Sequence, residues 1–166
     1  MGLLTRITTH DSCGELETAA DLRFYDGLSL ATSDVARRTA AVYLLGYVGE
    51  VLVKTAYYRC RGVAGVDDVA TELHNIPVRA RVLGLRWRGN LHNLESLATL
   101  LVLERDALGN PLEPGFAAEF QGHVASLGAH WSETLRYKAV SAQEAELFEV
   151  FESVEWLIAN HGRLWS

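Results

Sequence analysis

Apolar residues recur every three or four positions along most of this chain, which is the period of a helix that buries one face. In the first such segment, Leu16, Ala20, Phe24 and Leu28 follow one another at every fourth position. The same period returns from Leu91 onward and continues in segments towards the end of the sequence. No segment reads as a β-hairpin, so the pattern predicts an all-α fold.

Residues typical of helix ends divide these periodic segments. Ser33 is predicted to cap the second helix, and Pro114 is predicted to open a short helix in the later half of the chain. Ser141 and Glu144 form an S-x-x-E capping box that predicts the start of the last helix. Gly162 is placed to end that helix.

The stretch between positions 62 and 90 has a weaker period and contains Pro77, which predicts a break. We therefore expect an up-and-down bundle of about five helices. A single domain is expected to cover 1–166, with residues 1–13 as a flexible start.

The second predicted helix is apolar enough to be buried, yet it carries Glu50 and Lys54 in its middle. An unpaired buried charge is very costly, so the fold must supply partners or a wet groove. Tyr43 and Tyr47 share a helix face with the two charges. His92, at the predicted start of a later helix, is a natural partner for Glu50. A structural polar network and a ligand groove are both consistent with this set.

Small and aromatic residues suggest that the chain forms a homodimer. Gly46 and Gly49 lie within the second predicted helix, where glycine costs about 1 kcal/mol relative to alanine, so a close helix neighbour is expected. Trp156 and Trp165 make the C-terminal helix rich in aromatic surface. Such features are typical of an interface between copies.

Composition narrows the class of protein. The chain has 166 residues, of which 49% are hydrophobic, and a formal net charge of −6. These values predict a globular domain and argue against indiscriminate coating of nucleic acid. Cys13 and Cys60 are too few for a disulfide scaffold, and we expect two reduced thiols. No secretory leader or uninterrupted apolar span is present in the sequence, so we expect a cytoplasmic protein with no membrane contact.

Candidate chemistry centres on a basic segment. Arg79, Arg81, Arg86 and Arg88, with Trp87 among them, form the only dense run of positive charge in the sequence. Such a run can bind an RNA backbone while the indole stacks on a base. The alternative is a solvated helix whose arginines meet acidic neighbours. No motif for a nucleotide, cofactor or metal is present, and none is expected to bind.

Three sequence pieces together resemble the HEPN superfamily of helical-bundle proteins. The piece AVYLLGYVGEVLVKTAYY is similar to the family's A-x-Y-L-x-G-Y-x-x-E-x-x-L-K helix. The run from His92 to Leu97 is similar to its H-x-L-x-x-L helix start. Leu135-Arg136-Tyr137 precedes the last helix as the family's pattern does. Their order and spacing match over most of the chain, from about Ser33 to Ala159.

This resemblance implies a bundle that dimerises and that acts in prokaryotic defence or toxin–antitoxin systems, beside a nucleotidyltransferase-type protein. Catalytic members use an Arg-x(4–6)-His motif to cut RNA without metal, the two side chains acting on the ribose 2′-hydroxyl and the scissile phosphate. Other members lack the motif and serve as binding modules. Arg86 and His92 have that spacing here, but they precede the middle helix, whereas the motif usually lies nearer the C-terminus.

The leading hypothesis is a non-catalytic or regulatory binding module for RNA or a protein partner. Its candidate binding residues are Tyr43, Tyr47, Glu50, Lys54, Arg88, Arg136 and Tyr137. The alternative is a metal-independent endoribonuclease in which Arg86 and His92 are catalytic. A third possibility is a structural homodimeric module without a ligand.

Overall fold

The computed structural model describes residues 11–87 and 90–166, which fold into six α-helices with no strand among them. The helices are α1 Cys13–Ser33, α2 Arg38–Cys60, α3 Ala70–Val82, α4 Leu94–Ala107, α5 Pro114–His130 and α6 Glu144–Trp165. Two short 3-10 helices, Val35–Arg37 and Glu133–Tyr137, precede α2 and α6. The predicted all-α bundle is confirmed.

Helix α2 forms the centre of the bundle. It is apolar on nearly all sides, as expected of a helix enclosed by its neighbours. Helices α1 and α6 pack along it, α4 covers a further side, and α5 lies against both α4 and α6. Each candidate residue on α2 is therefore placed by a rigid, buried backbone.

The two glycines of α2 admit side chains from the same chain. A Cβ atom at Gly46 would lie 2.0 Å from Cδ1 of Trp131, and one at Gly49 would lie 2.3 Å from Cδ2 of Leu127. The Trp131 indole also donates a hydrogen bond to the Tyr43 carbonyl, at 3.0 Å. The close neighbour expected at these glycines is thus internal, and they give no support to a dimer.

The C-terminal tryptophans likewise contact their own chain. Trp156 packs on Phe116 and His123, with ring centroids 5.3 and 4.8 Å apart. The Arg59 guanidinium lies over the Trp165 ring, 5.3 Å from the centroid of the ring. The homodimer remains a prediction, without the support these residues were expected to give.

The predicted start of the second helix was wrong. Ser33 is the last residue of α1, and its hydroxyl donates to the Leu30 carbonyl rather than capping a new helix. Asp34 caps the short 3-10 helix by accepting a hydrogen bond from the Ala36 amide. Helix α2 therefore begins only at Arg38.

The last helix also begins and ends later than predicted. Thr39 donates to the Val140 carbonyl and accepts from the Ala142 amide, which places Ser141 in a non-helical connection. Gln143 takes the cap position, and its backbone amide donates to the Glu146 carboxylate at 2.6 Å. Gly162 lies inside α6, because the buried Leu164 keeps the last turn packed on the bundle.

The expectation of about five helices missed α3, which runs through Pro77. Proline in a helix interior removes one backbone hydrogen bond and costs about 3 kcal/mol. Buried Ile76 and Ala80, on the inner face of α3, offset that cost by packing on the bundle.

The predicted flexible start, 1–13, lies largely on residues 1–10, outside the described residues. Ser12 caps α1 and pairs with Asp68 in an isolated bridge, and Cys13 is fully buried. The ordered bundle thus includes the last residues of that range. None of the helices in the described part of the chain is both long and apolar enough to cross a membrane.

Candidate functional site

The charged pair in α2 is buried and satisfied. Glu50 is 3% exposed, and its Oε1 accepts hydrogen bonds from Lys54 Nζ and, at 2.7 Å, from His92 Nδ1. A buried carboxylate is stable when it is paired and hydrogen-bonded, and both conditions are met here. The structure thus contains the expected bond between His92 and Glu50.

His92 is positioned by the turn before α4. Its backbone amide donates to the Asn90 side chain at 3.0 Å, and Asn93 caps the helix through the Ser96 amide at 2.9 Å. Because a carboxylate can only accept, the Nδ1 that faces Glu50 carries the hydrogen. The His92 side chain is 41% exposed, so its opposite edge remains open to solvent.

A cleft of about 210 Å³ adjoins this imidazole. It is lined by His92, Asn93, Leu94, Glu95, Gly128 and Trp131. At about 30 Å³ per water molecule this volume is that of about seven waters, and the cleft opens to solvent at the half-exposed His92 side chain. The cleft is therefore part of a surface, not an enclosed active-site chamber.

The two tyrosines of the α2 stripe precede this network along the helix. Tyr47 is half-buried, and burial together with the nearby Glu50 carboxylate raises the pKa of its phenol. It therefore stays neutral at physiological pH. Tyr43 bonds Arg136, and that hydrogen bond raises the pKa of the guanidinium.

The turn before α4 and the second 3-10 helix lie side by side over α2. The Asn90 amide donates to the Glu133 carboxylate at 2.6 Å, which joins the two segments. The Tyr137 ring is 74% exposed, and the Arg136 guanidinium lies over it at 4.7 Å. We call the exposed face of residues 90–92 and Glu133–Tyr137 the loop surface.

In the described part of the chain, no hydrogen bond or ion pair joins Arg86 to His92. Arg86 is exposed, and no hydrogen bond or ion pair joins it to another residue in 11–87 or 90–166. Trp87 beside it is half-buried against the core. Arg88 lies outside the described residues. The proposed Arg86–His92 pair is therefore not assembled in the described geometry.

A second polar cluster was not predicted from the sequence. Glu104 of α4 is fully buried, and its carboxylate accepts two hydrogen bonds from Arg79, at 2.7 and 3.0 Å, and one from Arg61 at 2.9 Å. Arg61 also faces Glu72 at 3.4 Å. We call these four residues, with the buried Tyr57 beside them, the Glu104 cluster.

Electrostatics within the Glu104 cluster favour the ionised carboxylate. Burial raises the pKa of Glu104, but the hydrogen bonds from Arg79 and Arg61 outweigh it and leave the pKa below its usual value. Burial raises the pKa of Tyr57, whose hydroxyl has no hydrogen-bond partner among the described residues. Arg79 thus meets an acidic neighbour, as the alternative to RNA binding expected, but that neighbour is buried in the bundle.

Over the described ranges, no group of three or more histidine, cysteine, aspartate or glutamate side chains is arranged to hold a metal ion. The arrangement offers instead a fixed, half-exposed imidazole and an exposed cation–aromatic pair. Comparison with protein-family models, curated proteins and solved structures finds no match for this chain.

Proposed function

We propose that this chain is a non-catalytic binding module that takes single-stranded RNA on the loop surface. The observation that carries the proposal is the exposed pair of Arg136 and Tyr137. An exposed aromatic ring can stack on a base, and an adjacent guanidinium can bind a phosphate. Because stacking and phosphate contacts need no fixed sequence, the module would tolerate many RNAs.

The surroundings of that pair support an anionic ligand. No ion pair neutralises Arg136 within the part of the chain that the structure describes. Lys138 and Arg86, on the two connections that adjoin the loop surface, are exposed as well. With Arg136 they make three positive charges against the one Glu133 carboxylate of the loop surface, and in a chain of net charge −6 this local excess would attract a phosphate backbone.

The resemblance to the HEPN superfamily adds the biological setting to the proposal. On that resemblance we propose that the module acts in the cytoplasm of a prokaryote, in a defence or toxin–antitoxin system, as a homodimer beside a nucleotidyltransferase-type protein. Light scattering at micromolar concentration tests the dimer, and a monomer mass would remove it from the proposal. The binding proposal does not depend on that result.

Fluorescence anisotropy with short single-stranded RNA tests the proposal. Tyr137→Leu should lose one base stack, worth about 1–3 kcal/mol, and weaken binding about five-fold or more. Arg136→Gln should weaken binding and flatten its salt dependence. Arg163→Gln is the matched control, because it removes an equal charge from an exposed position in the last turn of α6, outside the loop surface.

Two results would count against RNA as the ligand. One is the absence of saturable binding at low salt. The other is equal affinity in the Arg136→Gln, Tyr137→Leu and Arg163→Gln variants. Either would leave a protein partner as the better occupant of the loop surface.

The hydrogen bond from His92 to Glu50 favours a second candidate function, metal-independent RNA cleavage. A carboxylate that fixes one imidazole nitrogen leaves the other free to accept a proton. Arg86 would hold the scissile phosphate in this mechanism. The missing contact between Arg86 and His92 is why binding ranks first.

Incubation of RNA with the protein in EDTA tests cleavage. An endoribonuclease of this kind leaves 2′,3′-cyclic phosphate ends, and folded Arg86→Ala and His92→Ala variants would both be inactive. RNA that binds but stays intact would exclude cleavage while leaving the binding module in place.

A further inference from the structure

Helix α3 has a small apolar contact with the rest of the bundle. Of its residues only Ile76 and Ala80 are buried. Val78 and Val82 are 61% and 67% exposed. Since hydrophobic stabilisation follows the apolar area buried, two buried side chains that also offset the cost of Pro77 leave little free energy to dock α3.

An ionic contact supplements that packing. Arg79, in the C-terminal half of α3, donates twice to the fully buried Glu104 carboxylate. Paired hydrogen bonds from one guanidinium to one carboxylate fix both distance and direction. The Arg61 guanidinium, from the end of α2, binds the same carboxylate and holds it in place.

This contact orients α3 more than it stabilises the fold. Desolvation of a buried ion pair offsets most of its Coulombic attraction, so such pairs add little net stability compared with apolar residues of similar size. The buried Tyr57 hydroxyl, without a partner among the described residues, adds a further cost beside the pair. The main effect of the Glu104 cluster is therefore to fix the position of Arg79.

The two ends of α3 are held differently. Before the helix, the Val69 amide donates to the Asp11 carbonyl and the Gly14 amide donates to the Gly65 carbonyl, both at 2.9 Å. After the helix the chain turns at Gly84, whose φ of +77° favours glycine, and enters the segment that carries Arg86. The backbone ties lie at the start of α3, whereas its far half is held by the buried side chains of Ile76 and Ala80 and by Arg79.

We propose that the bond between Arg79 and Glu104 is a latch, and that the C-terminal half of α3 detaches from the bundle as a unit when it opens. The closed latch fixes the start of the connection that carries Arg86 and Trp87. A role for the latch in controlling this connection, which adjoins the loop surface, rests on the proposed function.

Hydrogen exchange of the full chain, read by mass spectrometry, tests the latch. Arg79→Gln should speed exchange across residues 76–85 by about ten-fold or more, the value of a charge-assisted hydrogen bond, with α2 and α4 unchanged. Arg81→Gln is the control, since it makes the same change two residues away at an exposed arginine with no ion pair to the described residues.

Equal exchange in the two variants would overturn the latch. Faster exchange spread evenly over all helices would also overturn it, because Arg79 would then stabilise only the whole fold. RNA affinity, measured on the same samples, reports separately on the proposed function. If Arg79→Gln speeds exchange at α3 but the protein binds no RNA, the latch is supported and its proposed role beside the loop surface is not.

Discussion

Gly46 shows how one missing side chain sets the position of an element. The Trp131 ring occupies the space where a Cβ atom would lie, with Cδ1 at 2.0 Å and Cγ at 2.1 Å. A methyl group there must displace a buried ring that also donates to the Tyr43 carbonyl. We expect Gly46→Ala to lower the free energy of unfolding by about 1–3 kcal/mol, measured by urea denaturation.

Gly122→Ala provides the control for this prediction. A Cβ atom at Gly122, on the exposed face of α5, meets no atom within 4 Å. Alanine there should raise stability by about 0.5–1 kcal/mol, because glycine is the poorer helix former. Similar effects of the two substitutions would show that helix propensity, not the contact with Trp131, decides the result.

The tautomer of His92 is a second prediction at this scale. Glu50 accepts from Nδ1, so the neutral ring should carry its hydrogen on Nδ1 and leave Nε2 free. Nitrogen-15 chemical shifts of the imidazole distinguish the two tautomers. Glu50→Ala should abolish the preference, whereas Glu95→Ala, beside the same cleft, should keep it. A ring protonated on Nε2 in the wild type would contradict the hydrogen bond.

Sequence alone could predict the partner of one buried acid and not of the other. Glu50 interrupts a long apolar helix, so its burial is evident, and His92 follows at the start of a predicted helix. Glu104 is followed by Arg105 and Asp106, and the run resembles the exposed end of an ordinary helix. The partners of its buried carboxylate, Arg79 of α3 and Arg61 after α2, come from other elements, and no local pattern encodes such a tertiary contact.

At the scale of elements, the errors of prediction lie where long-range contacts override local preferences. The S-x-x-E box at Ser141 fails to begin α6 because Thr39 of α2 binds the adjacent backbone. Pro77 fails to break α3 because Ile76 and Ala80 pack on the bundle. Helix α5 begins at Pro114 as predicted, because its period and its cap agree, although at 17 residues it is longer than the short helix expected.

The Glu104 cluster joins three elements, so its ionisation should control how they hold together. The pKa of Glu104 is lowered in the folded protein, so the unfolded chain binds its proton more readily. The stability it contributes is therefore present above about pH 4.5, its ordinary pKa, and is lost as the pH falls further. Thermal unfolding over that range measures the loss.

Glu104→Gln should remove this part of the acid sensitivity. At neutral pH the variant should be less stable by about 1–3 kcal/mol, since Arg61 and Arg79 then face no charge but keep partial access to solvent. Its stability should fall less than that of the wild type below about pH 4.5. Glu155→Gln, at an exposed position of α6, is the control and should follow the wild type.

For the molecule as a whole, the sequence predicts the parts of the site better than their assembly. The stripe from Tyr43 to Lys54 follows from the helical period of α2 alone. The Asn90–Glu133 hydrogen bond joins segments 43 residues apart. It forms only where the start of α4 and the end of α5 lie close together in the bundle. The loop surface therefore becomes visible only in the folded bundle, as does the lack of a hydrogen bond or ion pair between Arg86 and His92.

The pH dependence of whole-molecule stability should show a second stage, nearer neutrality, that comes from His161 of α6. Burial lowers the pKa of this histidine, which sits against the Thr55 hydroxyl of α2 at 3.0 Å. The unfolded chain takes up its proton near the ordinary pKa of 6.5, whereas the folded protein resists protonation. The folded state should thus lose stability as the pH falls below about 6.5, before the carboxylates titrate.

His161→Gln should flatten this stage near neutrality and leave the loss below about pH 4.5 in place, because Glu104 is untouched. Burial also lowers the pKa of His123, so part of the slope near neutrality should persist in the variant. His74→Gln, at an exposed position, should change neither stage. If His161→Gln and His74→Gln gave the same curve, the contact between α6 and α2 would admit a charged imidazole, and the packing of α6 on the central helix would be looser than the structure shows.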